Sequence, residues 1–109
     1  MVHLTVKNLK EVEEVYHEEI RSVCEEKQAF YDERLKNYGK DVQLSVIFDH
    51  SSATYKVSAS LDLKSKKLLV VEEDTDPVKA LHAVFQALKK AFRHQYEKEK
   101  KDYLYKRKR

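Results

Sequence analysis

Tryptophan is absent from this sequence, and glycine, proline, cysteine and methionine occur once each. A single cysteine, Cys24, excludes an internal disulfide and any CxxC metal pair, and it fits a reducing compartment. A single glycine excludes a glycine-rich phosphate loop. With so little glycine and proline there is no material for a long flexible linker, so Gly39 and Pro77 are expected to mark real boundaries. No apolar run approaches the roughly 20 residues needed to span a bilayer. The stretch Met1–Lys7 lacks the apolar core of a signal peptide, so a cytoplasmic location is expected.

What the sequence does have is charge. Its 109 residues suit one domain. Apolar residues make up 41% and charged residues 38%, enough for a small core beneath a heavily solvated surface. The net charge of +3 conceals an asymmetry. Residues 1–76 hold 11 Lys/Arg and 16 Asp/Glu, a net of −5, whereas residues 77–109 hold 11 and 3, a net of +8. A basic segment on a compact domain sets up a field that attracts polyanions, of which nucleic acid is the commonest.

Periodicity supplies the elements. Val2, Leu4 and Val6 alternate with His3 and Thr5, a half-buried strand. Asn8, with Glu11 three residues on, has the spacing of a capping box and predicts a helix start there. The stripe Val12, Tyr16, Ile20, Val23, Phe30 and Leu35 continues that helix, with Gly39 as the left-handed stop. Val42, Leu44, Val46 and Phe48 form a second strand, and Asp49-His50-Ser51-Ser52 a turn. Residues 53–63 alternate most cleanly of all, which makes one sheet face apolar and places helices on one side only. Lys64-Ser65-Lys66-Lys67 turns into a fourth strand, Leu68–Val71, whose unbroken apolar run predicts an interior or doubly covered position. Asp76-Pro77 opens the last helix, with Asp76 as N-cap and Pro77 at the first helical position. Its stripe is Leu81, Val84, Phe85, Leu88 and Phe92. The apolar character ends after Tyr96, at Glu99, and a projection or frayed tail is expected beyond. The order is β-α-β-β-β-α.

At about 100° per residue, Lys79, His82, Gln86, Lys89, Lys90, Arg93, Lys100 and Lys101 form a basic sector about 140° from the dry stripe. A lysine-rich face is by itself an ordinary solvated surface. The concentration of charge in this one segment is what favours a polyanion. From Lys79 to Lys101 the ladder spans roughly 30 Å, long enough to follow a phosphate backbone. Tyr96, Tyr103 and Tyr105 lie among these cations, where rings are able to stack on unpaired bases.

Other constellations are weaker. The five histidines have no ligand spacing, and His17-Glu18-Glu19 lacks the second histidine of a zinc HExxH, since position 21 is arginine. They read as surface or partly packed groups. Cys24 reads as a small buried hydrophobe rather than a nucleophile. Glu72, Glu73, Asp74 and Asp76 are explained by the positive end of the following helix.

Element order and a specific segment give a family resemblance. Tyr55-Lys56-Val57 through Leu61 and Leu63 is similar to the third strand of the ribosome hibernation-promoting factor family, also called sigma-factor modulation proteins. Leu69 through Glu72-Glu73 and Asp76 resembles that family's E-E-x-x-D approach to the last helix. Ala80-Leu81 matches its A-I pair, and Leu88, Lys90, Phe92 and Lys98 fall on its leucine, basic, leucine and lysine positions. The resemblance implies an α+β fold: a four-stranded mixed sheet with two helices packed on one face, an arrangement related to double-stranded-RNA-binding domains. It implies a hibernation-factor-like domain over residues 1–98 and a basic extension over residues 99–109. Family members dock in the decoding region of the small ribosomal subunit, where basic helix side chains meet ribosomal RNA and translation stops. Ala87, Ala91, His94 and Tyr96 stand where the family often has Lys, Gln, Lys and a further Lys. The additional basic residues of the extension are expected to compensate.

The expectation is a translation inhibitor of the stress response that occupies the small subunit, not an enzyme, with no cofactor, no metal and no membrane contact, monomeric when free. Lys90 and Lys98 carry over from the resemblance. Lys79, Lys89, Arg93, Lys100, Lys101, Lys106, Arg107, Lys108 and Arg109 rest on the helical face and the basic tail. A general structured-RNA-binding module and a protein–protein adaptor are the alternatives.

Overall fold

Strand β1 (Val2–Lys7) leads through two 3-10 turns (Leu9–Glu11 and Glu14–Tyr16) into α1 (His17–Arg34). Strands β2 (Val42–Ser51), β3 (Thr54–Asp62) and β4 (Lys67–Asp74) follow, and α2 (Pro77–Arg107) closes the fold. The structure is a computed structural model that describes the backbone of residues 1–107 and the side chains of residues 1–101. The four strands lie in the order β1-β2-β3-β4. β1 runs parallel to β2, with α1 as the crossover, and the two remaining pairs are antiparallel hairpins. The architecture is the expected α+β fold.

Alternation decides which face is dry. Val42, Leu44, Val46 and Phe48 on β2 and Val57, Ala59 and Leu61 on β3 are fully buried under the helices. α1 packs on β1, and α2 on β3 and β4. Leu81, Val84 and Leu88 of α2 are also fully buried, and each such side chain contributes about 1.5–3 kcal/mol. Asp76 caps α2 as its spacing predicts: its Oδ1 accepts from the backbone N–H of Val78 at 2.8 Å and of Lys79 at 3.3 Å.

Four expectations need correction. The first helix does not start at Asn8. That residue takes a left-handed conformation (φ 62°) with no side-chain cap, which asparagine tolerates where a strand must turn sharply. Glu11 instead accepts from the backbone N–H of His50 at 3.3 Å. Leu9–Glu11 and Glu14–Tyr16 form two 3-10 turns, the extended Val12 between them is buried, and true α-helix starts at His17. Gly39 (φ +78°) is not the helix stop, since α1 ends at Arg34 and Gly39 serves the turn into β2.

The β2–β3 turn is shorter than its polar run suggests. Asp49 pairs with Lys56, and His50 stacks on Tyr55 at 4.1 Å, so the ladder runs to Ser51 and only Ser52-Ala53 turn. Finally, β4 is an edge strand, not an interior one. Leu68 is buried, but Leu69 is 64% and Val71 42% exposed on the open face of the sheet. Its apolar run reflects exposure rather than double cover.

A candidate nucleic-acid interface on the last helix

Contacts around α2 fix its four sides. Phe92 meets Tyr31 of α1 at 5.1 Å, and the Lys89 ammonium lies 5.4 Å from the Phe30 ring, so this flank faces α1. Leu81, Leu88 and Gln95 are buried toward the sheet. On the side away from the sheet, Lys79, Lys90, Arg93 and Lys101 are all exposed and fall within a sector of about 80°. They span about 33 Å along the axis. Glu97, also exposed, sits between Arg93 and Lys101 and subtracts one charge from this ridge.

Not every expected residue joins it. Lys89 and Lys100 are exposed on the α1 flank, Lys100 with its ammonium 4.6 Å from the Tyr96 ring. Lys98, five residues beyond Arg93, points about 140° away from it, over the β4 flank. Tyr96 is not a free stacking platform. It is half-buried, stacked on Phe92 at 5.1 Å and edge-on to Tyr38 at 5.9 Å. Lys106, Arg107, Lys108 and Arg109, with Tyr103 and Tyr105, have side chains outside the described residues.

The cations are not neutralised by the acidic first helix. The ion pairs among the described residues are Met1 with Asp41, His3 with Asp41, and Lys36 with Glu33. None involves α2. The α1 carboxylates Glu18 and Glu25 line a shallow depression with Glu14, His17, Arg21 and Ser22 instead.

α2 runs on past residue 98. It continues unbroken, and Glu99 ties it down. The Glu99 carboxylate accepts from the Tyr38 hydroxyl at 2.5 Å, from the Ser65 backbone N–H at 3.1 Å, and from the Ser65 hydroxyl. Tyr38 accepts in turn from the backbone N–H of Lys64 at 2.8 Å, and Gln95 donates to Ser65 at 2.7 Å. Burial works against the Glu99 carboxylate, but the bonds from Ser65 and Tyr38 and the charge of Lys64 outweigh it and hold its pKa below the ordinary value. Burial, then the bond to Glu99, pushes the Tyr38 phenol up.

This lock brings a second basic group to α2 that the helical-face reasoning missed. Lys64 and Lys66 are exposed on the β3–β4 connection beside Ser65. The run Lys64-Ser65-Lys66-Lys67 was visible in the sequence, but only the Ser65–Glu99 contact brings it to the helix.

The remaining groups have structural roles. Cys24 is fully buried, and burial followed by Glu25 pushes its thiol up to about 12, far from a reactive thiolate. Asp74 accepts from the Asp76 backbone N–H at 2.9 Å and shapes the entry to α2. Among the described residues, no three His, Cys, Asp or Glu side chains converge as a metal-binding group, and no helix is long and apolar enough to cross a membrane. Neither a protein-family model nor a curated protein gives a significant match to the sequence.

Proposed function

We propose that this protein binds structured RNA through the cationic ridge of α2, that its target is the RNA of the small ribosomal subunit, and that occupation of the decoding region silences translation. The observation that carries the reading is the exposure of Lys79, Lys90, Arg93 and Lys101 in one sector, none ion-paired with a described residue. Ridge cations that already hold a carboxylate have less to gain from a phosphate. These do not, so each phosphate neutralised releases condensed counterions at full effect. The element order and the segment from Tyr55 to Lys98 support the ribosomal target by resemblance. The domain acts by occlusion: α2 fills a site that messenger and transfer RNA need, and no bond is made or broken.

The test is co-sedimentation of the pure protein with small ribosomal subunits. Lys79, Lys90 and Arg93 replaced together by glutamate should abolish co-sedimentation while the circular dichroism spectrum stays unchanged. Retained co-sedimentation of that folded variant contradicts the proposal.

A further inference from the structure

The edge strand carries a self-complementary pattern. Leu63 N–H donates to the Lys66 carbonyl at 3.1 Å, which makes these residues a hydrogen-bonded pair of the β3–β4 hairpin. Alternation along the ladder makes Leu61–Leu68 and Ala59–Val70 hydrogen-bonded pairs as well. The backbone groups of Leu69, Val71 and Glu73 therefore point away from β3, past the edge of the sheet. The same residues, with Lys67, project their side chains on the open face, where Leu69 and Val71 are the most exposed large apolar groups of the sheet.

We propose that β4 is a self-association edge, at which a second copy of this chain pairs its β4 antiparallel about a twofold axis through Val70. In that register Leu69 stands opposite Val71 of the second copy, and Lys67 opposite Glu73 of the second copy, each pairing occurring twice. Val70 meets its own counterpart as a non-hydrogen-bonded pair, the parity that the outward-pointing groups of Leu69 and Val71 require. This register satisfies the backbone and, on the open face, matches apolar with apolar and opposite charges, while on the helix face it sets Leu68 opposite Glu72 of the second copy. A twofold interface requires this kind of self-complementarity.

The layer above agrees. α2 packs on β3 and β4, so its axis lies about one strand spacing from the twofold axis. The two α2 helices would run about 10 Å apart, near the 8–10 Å of packed helices. The flank of α2 turned from α1 is lined by Ala83, Ala87 and Ala91, four residues apart, all half-buried. α2 runs back along β4: its start follows Asp74, and Gln95 bonds to Ser65 just before β4 begins. Val70 therefore lies level with about Ala87, and the twofold axis sets Ala87 against its counterpart. It also brings Lys98 across from Asp76 of the second copy. Both cationic ridges then lie on one face of an eight-stranded sheet, free of the contact.

Sedimentation equilibrium of the full chain without RNA tests this directly, from low to high micromolar concentration. The expected result is a reversible dimer. Glu73→Lys should weaken it at least tenfold by setting lysine against lysine, and the added exchange Lys67→Glu should restore it. Ala87→Arg, on the surface flank, should give a monomer with an unchanged circular dichroism spectrum. A single chain mass at every concentration overturns the proposal. So does a dimer indifferent to Glu73→Lys and Ala87→Arg, which would place the contact elsewhere, such as the basic ridge against the acidic α1. None of these substitutions lies on the ridge, so the outcome is independent of RNA binding.

Discussion

Replacing Tyr38 by phenylalanine isolates the lock that holds the far part of α2. The ring remains, edge-on to Tyr96 at 5.9 Å and under the Lys64 ammonium at 4.6 Å, and only the hydroxyl is lost. That hydroxyl donates to the Glu99 carboxylate and accepts from the Lys64 backbone N–H. A hydrogen bond to a charged group contributes about 1.5–3 kcal/mol. Glu99 is partly open to water, and solvent screening reduces this. The expected loss is therefore about 1–2 kcal/mol, or roughly 5–10 °C in Tm for a domain of this size. Urea denaturation followed by circular dichroism measures it. A double-mutant cycle with Glu99→Ala should give a coupling of about 1 kcal/mol. Additive effects, or a Tyr38→Phe loss below about 0.3 kcal/mol, would refute the idea that Glu99 anchors the helix through Tyr38.

The same carboxylate predicts a pH dependence. Its folded pKa lies below the ordinary value it has in the unfolded chain, so its contribution is fully present above that ordinary value and is lost as pH falls through the folded pKa. Glu99→Gln should flatten the fall of stability in that acid window, as read from urea midpoints against pH. Cys24, with its thiol pushed up to about 12 and its side chain enclosed, should react with a thiol reagent at pH 8 at least roughly a thousandfold more slowly in the native protein than in denaturant.

The parts of the fold that were legible in the sequence are those where one local signal dominates. The alternation of residues 55–61 fixed β3 and its buried face, and Asp76-Pro77 fixed the start of α2, because N-cap geometry requires few residues and no distant partner. Asn8 and Glu11 misled because a capping box and a tight strand exit use the same residue types, and tertiary contact with His50 decided between them. The run Leu68–Val71 misled because apolar continuity does not record a strand's place in the sheet: β4 is an edge strand with Leu69 and Val71 exposed. The candidate site divides in the same way. Helical period was enough to find Lys79, Lys90, Arg93 and Lys101. It did not reveal that Tyr96 is spent on the core, or that Glu99, which looks like the end of the apolar stripe, is an anchor. That role depends on Ser65 and Tyr38, 34 and 61 residues away in sequence.

The exposed ridge as a phosphate-binding surface is tested most directly by the salt dependence of affinity for small-subunit RNA. Four ridge cations predict a slope of log K against log salt of about −2.8 to −3.6, a loss of about 50- to 150-fold between about 50 and 200 mM. A slope flatter than about −1, or one unchanged when Lys79, Lys90 and Arg93 are replaced by glutamine, contradicts it.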